Sequence, residues 1–143
     1  MTAEARKVVY LSRRESFCAS HRLYDPAFSK AENERLYGKC ARENGHGHNY
    51  VIQVTVKGGL DPRTGMVMNL TELKEFIRTE IIAKVDHFHL NHDVEMFRDI
   101  NPTSENVAIV FWNVLREHFG DLLYEVRVEE TPDNIVCFRG EES

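Results

Sequence analysis

The chain has 143 residues, of which 42% are hydrophobic and 29% are charged, and its formal net charge is -5. This length fits a single compact domain, expected to span residues 1–143, that can bury about two-thirds of the surface its unfolded chain exposes. The negative charge argues against a nucleic-acid partner, because phosphate contacts need a concentrated basic face.

The first predicted element is a strand over residues 7–21, whose alternate side chains face opposite sides of a sheet. Phe17, Ala19 and His21 share one of these faces. A loop of mixed charge follows over residues 22–44. It is longer than most connections in compact domains, and loops of that length usually serve a function.

Residues 48–57 are rich in β-branched side chains and predict the second strand. Glycine, aspartate and proline residues typical of turns follow and end this strand. Asn69 is a good helix N-cap with Glu72 three residues later. The helix that it begins is expected to bury a stripe of apolar residues at helical spacing: Leu70, Leu73, Ile77 and Ile81.

A second helix is predicted to begin near Thr103, where a hydroxyl cap precedes an acidic residue in the first turn. Its apolar stripe consists of Val107, Val110, Phe111, Val114 and Leu115. Residues 122–130 alternate and predict a third strand, in which Leu123 shares a face with Glu125, and residues 135–139 predict a short fourth. This ββααββ order indicates an α+β fold with a four-stranded antiparallel sheet and both helices on one face. Its two open edges favour assembly through sheet edges.

The cysteines Cys18, Cys40 and Cys137 are odd in number and widely spaced, so no disulfide framework is expected. The first seven residues contain no apolar signal core. No later stretch approaches the roughly 20 apolar residues of a membrane span. These features predict a cytoplasmic protein without a membrane partner.

The most informative residues are His46 and His48, separated by one glycine, with His21 well upstream. Alternate residues of an extended segment point the same way, so both imidazoles can face one ion. His21 supplies a third ligand if the first two strands pair as a hairpin. Three nitrogens with an open fourth position are typical of catalytic zinc, whereas structural zinc usually has four protein ligands. Taken alone, a His-x-His pair is more often two surface or hydrogen-bonded histidines.

Cys40 lies in a polar segment close to Lys39 and Arg42, whose charges favour a thiolate. It could be a fourth zinc ligand, a buried small side chain, a nucleophile or a base. Cys18 and Cys137 lie in apolar runs and are interpreted as buried structural residues.

Asp86 next to His87 would suit a proton relay, because a carboxylate fixes the tautomer of an imidazole and raises its basicity. Alternatively, both residues cap the end of the first helix. Glu130 could accept two parallel hydrogen bonds from an amino-pyrimidinone edge, or could face water at a charged strand end. The remaining histidines lie in polar surroundings and are expected to be solvated: His89, His92 and His118.

Short motifs follow one another along the chain: Ser16-Phe17, Ala19-Ser20-His21-Arg22-Leu23, Tyr37-Gly38-Lys39-Cys40, Asn44-Gly45-His46-Gly47-His48-Asn49-Tyr50, Gly65-Met66-Val67-Met68-Asn69-Leu70, Asp86-His87, Thr103-Ser104-Glu105-Asn106-Val107-Ala108 and Glu130-Thr131. Each motif is weak alone, but their order and spacing together are highly specific. On these motifs, the chain resembles the 6-pyruvoyltetrahydropterin synthase family over residues 12–140.

The resemblance implies that three imidazoles bind zinc, namely those of His21, His46 and His48. It also implies, more weakly, that Thr103 and Glu105 help to hold the pterin.

The catalytic group implied by the resemblance centres on Cys40, which would abstract the proton. Asp86 and His87 would be its relay partners, and Glu130 would anchor the pterin ring. In this family the site lies between subunits, so the Cys40 and His87 that meet can belong to different chains.

The resemblance further implies the tunnelling fold, in which three subunits join their sheets into a twelve-stranded barrel and two trimers stack as a homohexamer. The implied reaction converts 7,8-dihydroneopterin 3′-triphosphate to 6-pyruvoyl-5,6,7,8-tetrahydropterin and eliminates triphosphate, in tetrahydrobiopterin biosynthesis. Zinc is the implied cofactor, and magnesium is a further candidate that could accompany the triphosphate. Arg22 and Lys39 are candidates to line the path of the leaving anion.

Two positions depart from the family pattern. Glu129 stands where an aromatic residue is familiar and is expected to face solvent, and Cys137 replaces a commonly aliphatic residue.

The nearest rival is the 6-carboxytetrahydropterin synthase branch, which more often has three residues between the cysteine and the histidine motif. Here five residues separate Cys40 from His46, which favours the pyruvoyl enzyme. A non-catalytic pterin- or metal-binding module and a structural zinc protein are two further hypotheses. The intact Cys40, Asp86 and His87 argue against a pure binder, which needs no base.

Overall fold

A computed structural model describes residues 5–143 as an α+β protein, in which helices pack against a five-stranded sheet. Residues 1–4 lie outside the described range, and with them part of the expectations about the first seven residues and about a 1–143 domain. No helix within residues 5–143 is long and apolar enough to cross a membrane.

The sheet is built around a long antiparallel hairpin of β1 (Val8–His21) and β2 (His46–Gly59). β4 (Leu123–Thr131) pairs with the other side of β2, and β5 (Asn134–Phe138) pairs with β4. β3 (Phe88–His89) lies on the opposite edge, so the strand order is β3-β1-β2-β4-β5. The hairpin brings the end of β1 against the beginning of β2.

The prediction of a four-stranded, purely antiparallel sheet in ββααββ order is wrong, because β3 adds a fifth strand and makes the sheet mixed. Its two residues run parallel to β1, beside Ala19 and Ser20. A strand of this length is too short to show a periodic hydrophobic pattern, so periodicity could not predict it.

The described chain also contains more helical segments than the two predicted: α1 (Lys30–Tyr37), α2 (Leu70–Ile77), α3 (Ala83–Val85), α4 (Leu90–Asp93) and α5 (Ser104–Phe119). The predicted N-caps are confirmed, since the Asn69 side chain accepts the backbone N–H of Thr71 and the Thr103 side chain accepts that of Asn106. The first predicted helix is interrupted by a π-helical turn at Arg78–Ile82. Leu70 is 47% exposed and therefore does not belong to the buried stripe.

The core lies between the sheet and two helical segments, the one that begins with α2 and continues to Val85, and α5. Phe17 of β1 stacks on Tyr50 of β2 at 4.8 Å between ring centroids, and Phe17 also meets Phe111 of α5 edge-on at 5.8 Å. Leu123 is buried with Val126, because the register between β2 and β4 shifts at a bulge. The predicted alternation, which placed Leu123 on the same face as Glu125, is wrong for this reason.

Two cysteine predictions are wrong. Cys18 and Cys137 were expected to be buried, but both are exposed free thiols. Cys18 lies between the buried residues Phe17 and Ala19 of β1, so strand alternation turns it to the opposite face.

Glu129 is also not exposed to solvent as expected, since its side chain is only 14% exposed. It accepts hydrogen bonds from Arg14 Nη2 at 3.1 Å and from Arg127 Nη2 at 3.2 Å. The acid that replaces a familiar aromatic residue is thus neutralised by two arginines on the sheet face away from the core.

Candidate active site

The three predicted zinc ligands come together where the end of β1 pairs with the beginning of β2. His21 lies directly opposite His46, and His48 lies opposite Ala19, so all three imidazoles share the core-facing side of the sheet. Their potential ligand atoms lie within 4.8 Å of one another. The Nε2 atoms of His21 and His46 are 3.1 Å apart, which suits neighbouring ligands of one ion bound at about 2.0–2.1 Å.

His21 is held in a defined tautomer. Its Nδ1 lies 2.7 Å from the carbonyl oxygen of Pro102, which can only accept, so Nδ1 carries the hydrogen. The Tyr50 hydroxyl lies 3.3 Å from the same nitrogen. This leaves the Nε2 lone pair of His21 directed towards His46, as expected of a metal ligand whose other nitrogen is fixed by a carbonyl.

The donor set fits a divalent cation. His48 Nε2 is buried and has no hydrogen-bond partner within residues 5–143, and such orphaned groups are rare without a ligand or ion. Burial lowers the pKa of His21 to about 4. Burial and the nearby His48 also lower the pKa of His46. The imidazoles of His21 and His46 are therefore neutral at physiological pH, the form that binds metals. A set of three imidazoles suits zinc.

Glu130 lies beside this cluster rather than at a solvated strand end. The contacts of its two carboxylate oxygens with His48 and Ser104 place Glu130 on the face of the sheet that carries the cluster. Its Oε1 lies 3.4 Å from His48 Nε2, and its side chain is 19% exposed. Its Oε2 accepts a hydrogen bond from Ser104 Oγ at 2.5 Å.

The other predicted pterin-binding residues lie at the start of α5 but do not reach Glu130 through any described hydrogen bond. Thr103 Oγ1 caps the helix and accepts the backbone N–H of Asn106 at 3.2 Å. Glu105 is exposed. The residue between them, Ser104, contacts Glu130 and was missed by sequence reasoning. The only signal for Ser104 in the sequence was a hydroxyl next to the predicted cap. The sequence does not show which side of α5 faces β4.

Cys40 is presented by the long loop predicted over residues 22–44, which is not irregular. It lies in a 3-10 turn, Gly38–Ala41, that follows α1, and it is half-buried. Its carbonyl accepts the backbone N–H of Leu23 at 2.8 Å. Burial, the Glu130 carboxylate and Cys40 all raise the pKa of Tyr50. The bond between Leu23 and Cys40 places this turn next to the end of β1, two residues beyond His21.

Two side chains organise this loop. Asn33 is buried, accepts the backbone N–H of Asp25 at 2.8 Å and donates to its carbonyl at 3.0 Å. Arg22 donates from Nε to the Ala41 carbonyl at 2.9 Å, and its guanidinium lies 4.0 Å from the Tyr24 ring centroid. Arg22, a candidate for the triphosphate path, thus braces the turn that carries Cys40.

Asp86 and His87 form the predicted pair, with His87 Nδ1 3.0 Å from Asp86 Oδ1. The hydrogen bond from the Cys18 backbone N–H holds the pKa of Asp86 below its ordinary value. Asp86 is also the C-cap residue of α3, which is the position at a helix end that the alternative interpretation gives it. His87 is 80% exposed at the β1 edge, and no hydrogen bond among residues 5–143 joins the pair to Cys40 or to the three imidazoles. Within one chain, the relay and the cluster are not brought together.

One of the histidines expected to be solvated is not. His89 is half-buried and stacks on His92 at 4.2 Å between ring centroids. Burial, followed by the nearby His92, lowers the pKa of His89. His118 is exposed as expected and stacks on Phe76.

Comparisons with known proteins agree on one family. A family model described as 6-pyruvoyl tetrahydropterin synthase matches residues 10–141. The chain is 50% identical over 135 residues to 6-pyruvoyl tetrahydrobiopterin synthase of Drosophila melanogaster, covering 93% of this chain and 80% of that protein. It is 50% identical over 132 residues to the Homo sapiens protein of that name, covering 92% and 91% of the two chains.

A solved structure supports the same relationship. The structure of Caenorhabditis elegans 6-pyruvoyl tetrahydropterin synthase matches with a TM-score of 0.92 and 42% identity, over 97% of this chain and 100% of that chain. Sequence, fold and the order of the motifs therefore agree, and this chain belongs to the 6-pyruvoyl tetrahydropterin synthase family.

Proposed function

We propose that this chain converts 7,8-dihydroneopterin 3′-triphosphate to 6-pyruvoyl-5,6,7,8-tetrahydropterin and triphosphate, a step of tetrahydrobiopterin biosynthesis. The observation that carries the proposal is the convergence of three imidazoles beside Glu130, with the turn that carries Cys40 hydrogen-bonded just beyond the end of β1. A metal site, a base and a ring anchor are the parts that this chemistry needs.

His21, His46 and His48 would hold one zinc ion and leave its fourth position open. Zinc bound there would act as a Lewis acid that stabilises negative charge on the side-chain oxygens of the substrate. The Pro102 carbonyl supports this ligand set, because it fixes the His21 ring through Nδ1 and leaves Nε2 free.

Glu130 would recognise the pterin ring. A carboxylate can accept several hydrogen bonds, so an oxygen already bonded to Ser104 still has lone pairs for the ligand. The amino-pyrimidinone edge presents adjacent N–H donors, which match the paired oxygens of a carboxylate. Because Glu130 is next to His48, this contact would place the substrate side chain at the cluster.

Cys40 would act as the base that removes the proton from C1′ of the side chain. The electron pair left behind forms a double bond between C1′ and C6, while N5 takes up a proton. The resulting enol loses its hydroxyl proton and C6 gains a proton, so the ring is reduced at N5 and C6 as the C1′ alcohol becomes a ketone. Removal of the C2′ proton then expels triphosphate from C3′ and leaves a second enol. This enol loses its hydroxyl proton and takes up a proton at C3′, which gives the second ketone and a methyl group. The reaction is thus an internal redox exchange plus an elimination and needs no external oxidant.

Asp86 and His87 would complete the site as the proton relay of a neighbouring subunit, and we propose the tunnelling fold with barrel-forming trimers that stack as a hexamer. Two observations support this proposal. His87 is exposed at a sheet edge, and within the described residues the outer side of β5 pairs with no further strand. A single domain over residues 1–143 fits such a subunit, since the family model spans residues 10–141.

The direct test is to incubate purified protein with dihydroneopterin triphosphate, separate the pterin products and measure the triphosphate released, with and without magnesium. We expect 6-pyruvoyltetrahydropterin and one equivalent of triphosphate. A 6-carboxytetrahydropterin product would assign the chain to the rival branch. Bound but unchanged substrate would indicate a binding module, and either result would refute the proposal.

A further inference from the structure

We infer that Ser104 is a positioning residue that fixes the Glu130 carboxylate for recognition of the pterin ring. This inference rests on the proposed function, and it adds a residue for which the sequence motifs and the comparisons suggest no role.

The Ser104 hydroxyl can bond to Glu130 because it is not used to cap the helix. Ser104 is the first residue of α5, and its neighbour Thr103 already provides the side-chain cap. Ser104 is only 8% exposed, so its hydroxyl must find a protein partner. That partner is Glu130 Oε2, which accepts the Ser104 Oγ hydrogen at 2.5 Å.

Glu130 is thereby restrained at one oxygen, Oε2. Oε2 is bonded to Ser104, while Oε1 faces His48 Nε2 at 3.4 Å. The terminal torsion of a glutamate is otherwise broad, so a lone Glu130 carboxylate could rotate about its axis. Ring recognition through two parallel hydrogen bonds requires the carboxylate plane to lie in the plane of the amino-pyrimidinone edge.

Loss of the hydroxyl should therefore weaken ring binding more than chemistry. A carboxylate that must be ordered when the ligand arrives costs affinity. Since the ring contact is made in both the ground state and the transition state, its loss raises KM while kcat changes little. Removal of a hydrogen bond to a charged group predicts a loss of roughly 10-fold to 100-fold in affinity.

The experiment compares Ser104→Ala, Ser104→Thr and Ser12→Ala with the wild-type protein. Ser104→Ala keeps the Thr103 cap and introduces a strong helix former, so folding should be retained. Ser104→Thr keeps the hydroxyl. Ser12→Ala is the matched control, since it removes a hydroxyl bonded to Thr55 at 2.6 Å on the opposite face of the sheet. The probe is 7,8-dihydropterin, which carries the ring edge without the side chain.

For Ser104→Ala we expect a Kd for 7,8-dihydropterin and a KM for the triphosphate substrate about 10-fold or more above wild type. Its zinc content should match wild type, and the variant should remain folded at the assay temperature, although loss of the hydrogen bond lowers its melting temperature. Ser104→Thr should bind within about three-fold of wild type, and Ser12→Ala should not differ from it.

Unchanged dihydropterin affinity in Ser104→Ala, or a Ser104→Thr variant as weak as Ser104→Ala, would overturn the positioning role while leaving the proposed function intact. Loss of zinc in Ser104→Ala would also overturn it, because the effect would then pass through the cluster. A wild-type protein that neither binds dihydropterin nor turns over would refute the proposed function and this inference together.

Discussion

Cys40→Ala is expected to lower kcat by about 100-fold to 10,000-fold, the range typical for loss of a general base, while zinc and fold are retained. The substitution removes the thiol and leaves the backbone of the turn, whose carbonyl at Cys40 still accepts the Leu23 N–H. The side chain is half-buried, so its truncation disturbs little packing. Steady-state kinetics, zinc analysis and thermal unfolding on the same preparation check all three expectations.

Cys137→Ala is the matched control for this variant. Cys137 is an exposed free thiol on β5, so its loss should leave kcat, zinc content and melting temperature unchanged. Turnover retained by Cys40→Ala would refute its role as base. Zinc lost from Cys40→Ala would instead indicate that the thiol is a ligand, and the proposed mechanism would fail.

His46→Ala is expected to lose both zinc and turnover. His46 contributes one of the three convergent ring nitrogens, and its Nε2 lies 3.1 Å from that of His21. Loss of an outer-shell partner already costs 10-fold to 100-fold in metal affinity, so loss of a ligand should cost more than about 100-fold. Zinc content after dialysis and turnover with added zinc provide the measurements.

His46 is the best of the three histidines to change, because it is only half-buried. His21 is fully buried and hydrogen-bonded to Pro102, so its truncation would combine loss of a ligand with loss of stability. His118→Ala provides the control, since His118 is exposed on α5, far along the chain from the cluster. A His46→Ala protein that keeps stoichiometric zinc would contradict the ligand set.

The three-histidine cluster was predictable because it depends on strand alternation. His46 and His48 are separated by one residue and must share a face, and Phe17, Ala19 and His21 follow the same rule. Pairing of the strands as a hairpin then suffices to bring His21 opposite His46. The sequence supported each condition separately, and the structure shows the register that joins them.

Other features could not be predicted because they lack a hydrophobic period. In α1, Asn33 is the buried residue, and it stabilises the loop through hydrogen bonds rather than through an apolar stripe. Ser104 reaches Glu130 only because the side of α5 that carries Ser104 faces β4. Leu123 turns inward because of a bulge, which alternation cannot anticipate.

Asp86 and His87 illustrate an intermediate case. Their contact with each other follows from adjacency, and it is present at 3.0 Å. The relay to Cys40 proposed above runs between subunits, and no local pattern in the sequence of one chain encodes such a contact. That part of the site remains a proposal.

The central claim is that three imidazoles and no thiolate hold a single zinc ion. Zinc-edge X-ray absorption on protein loaded with one equivalent of zinc tests it most directly. The account predicts nitrogen or oxygen neighbours at about 2.0–2.1 Å, an outer-shell pattern of three imidazoles, and no sulfur. A sulfur neighbour at about 2.3 Å would place Cys40 among the ligands and contradict its role as the base.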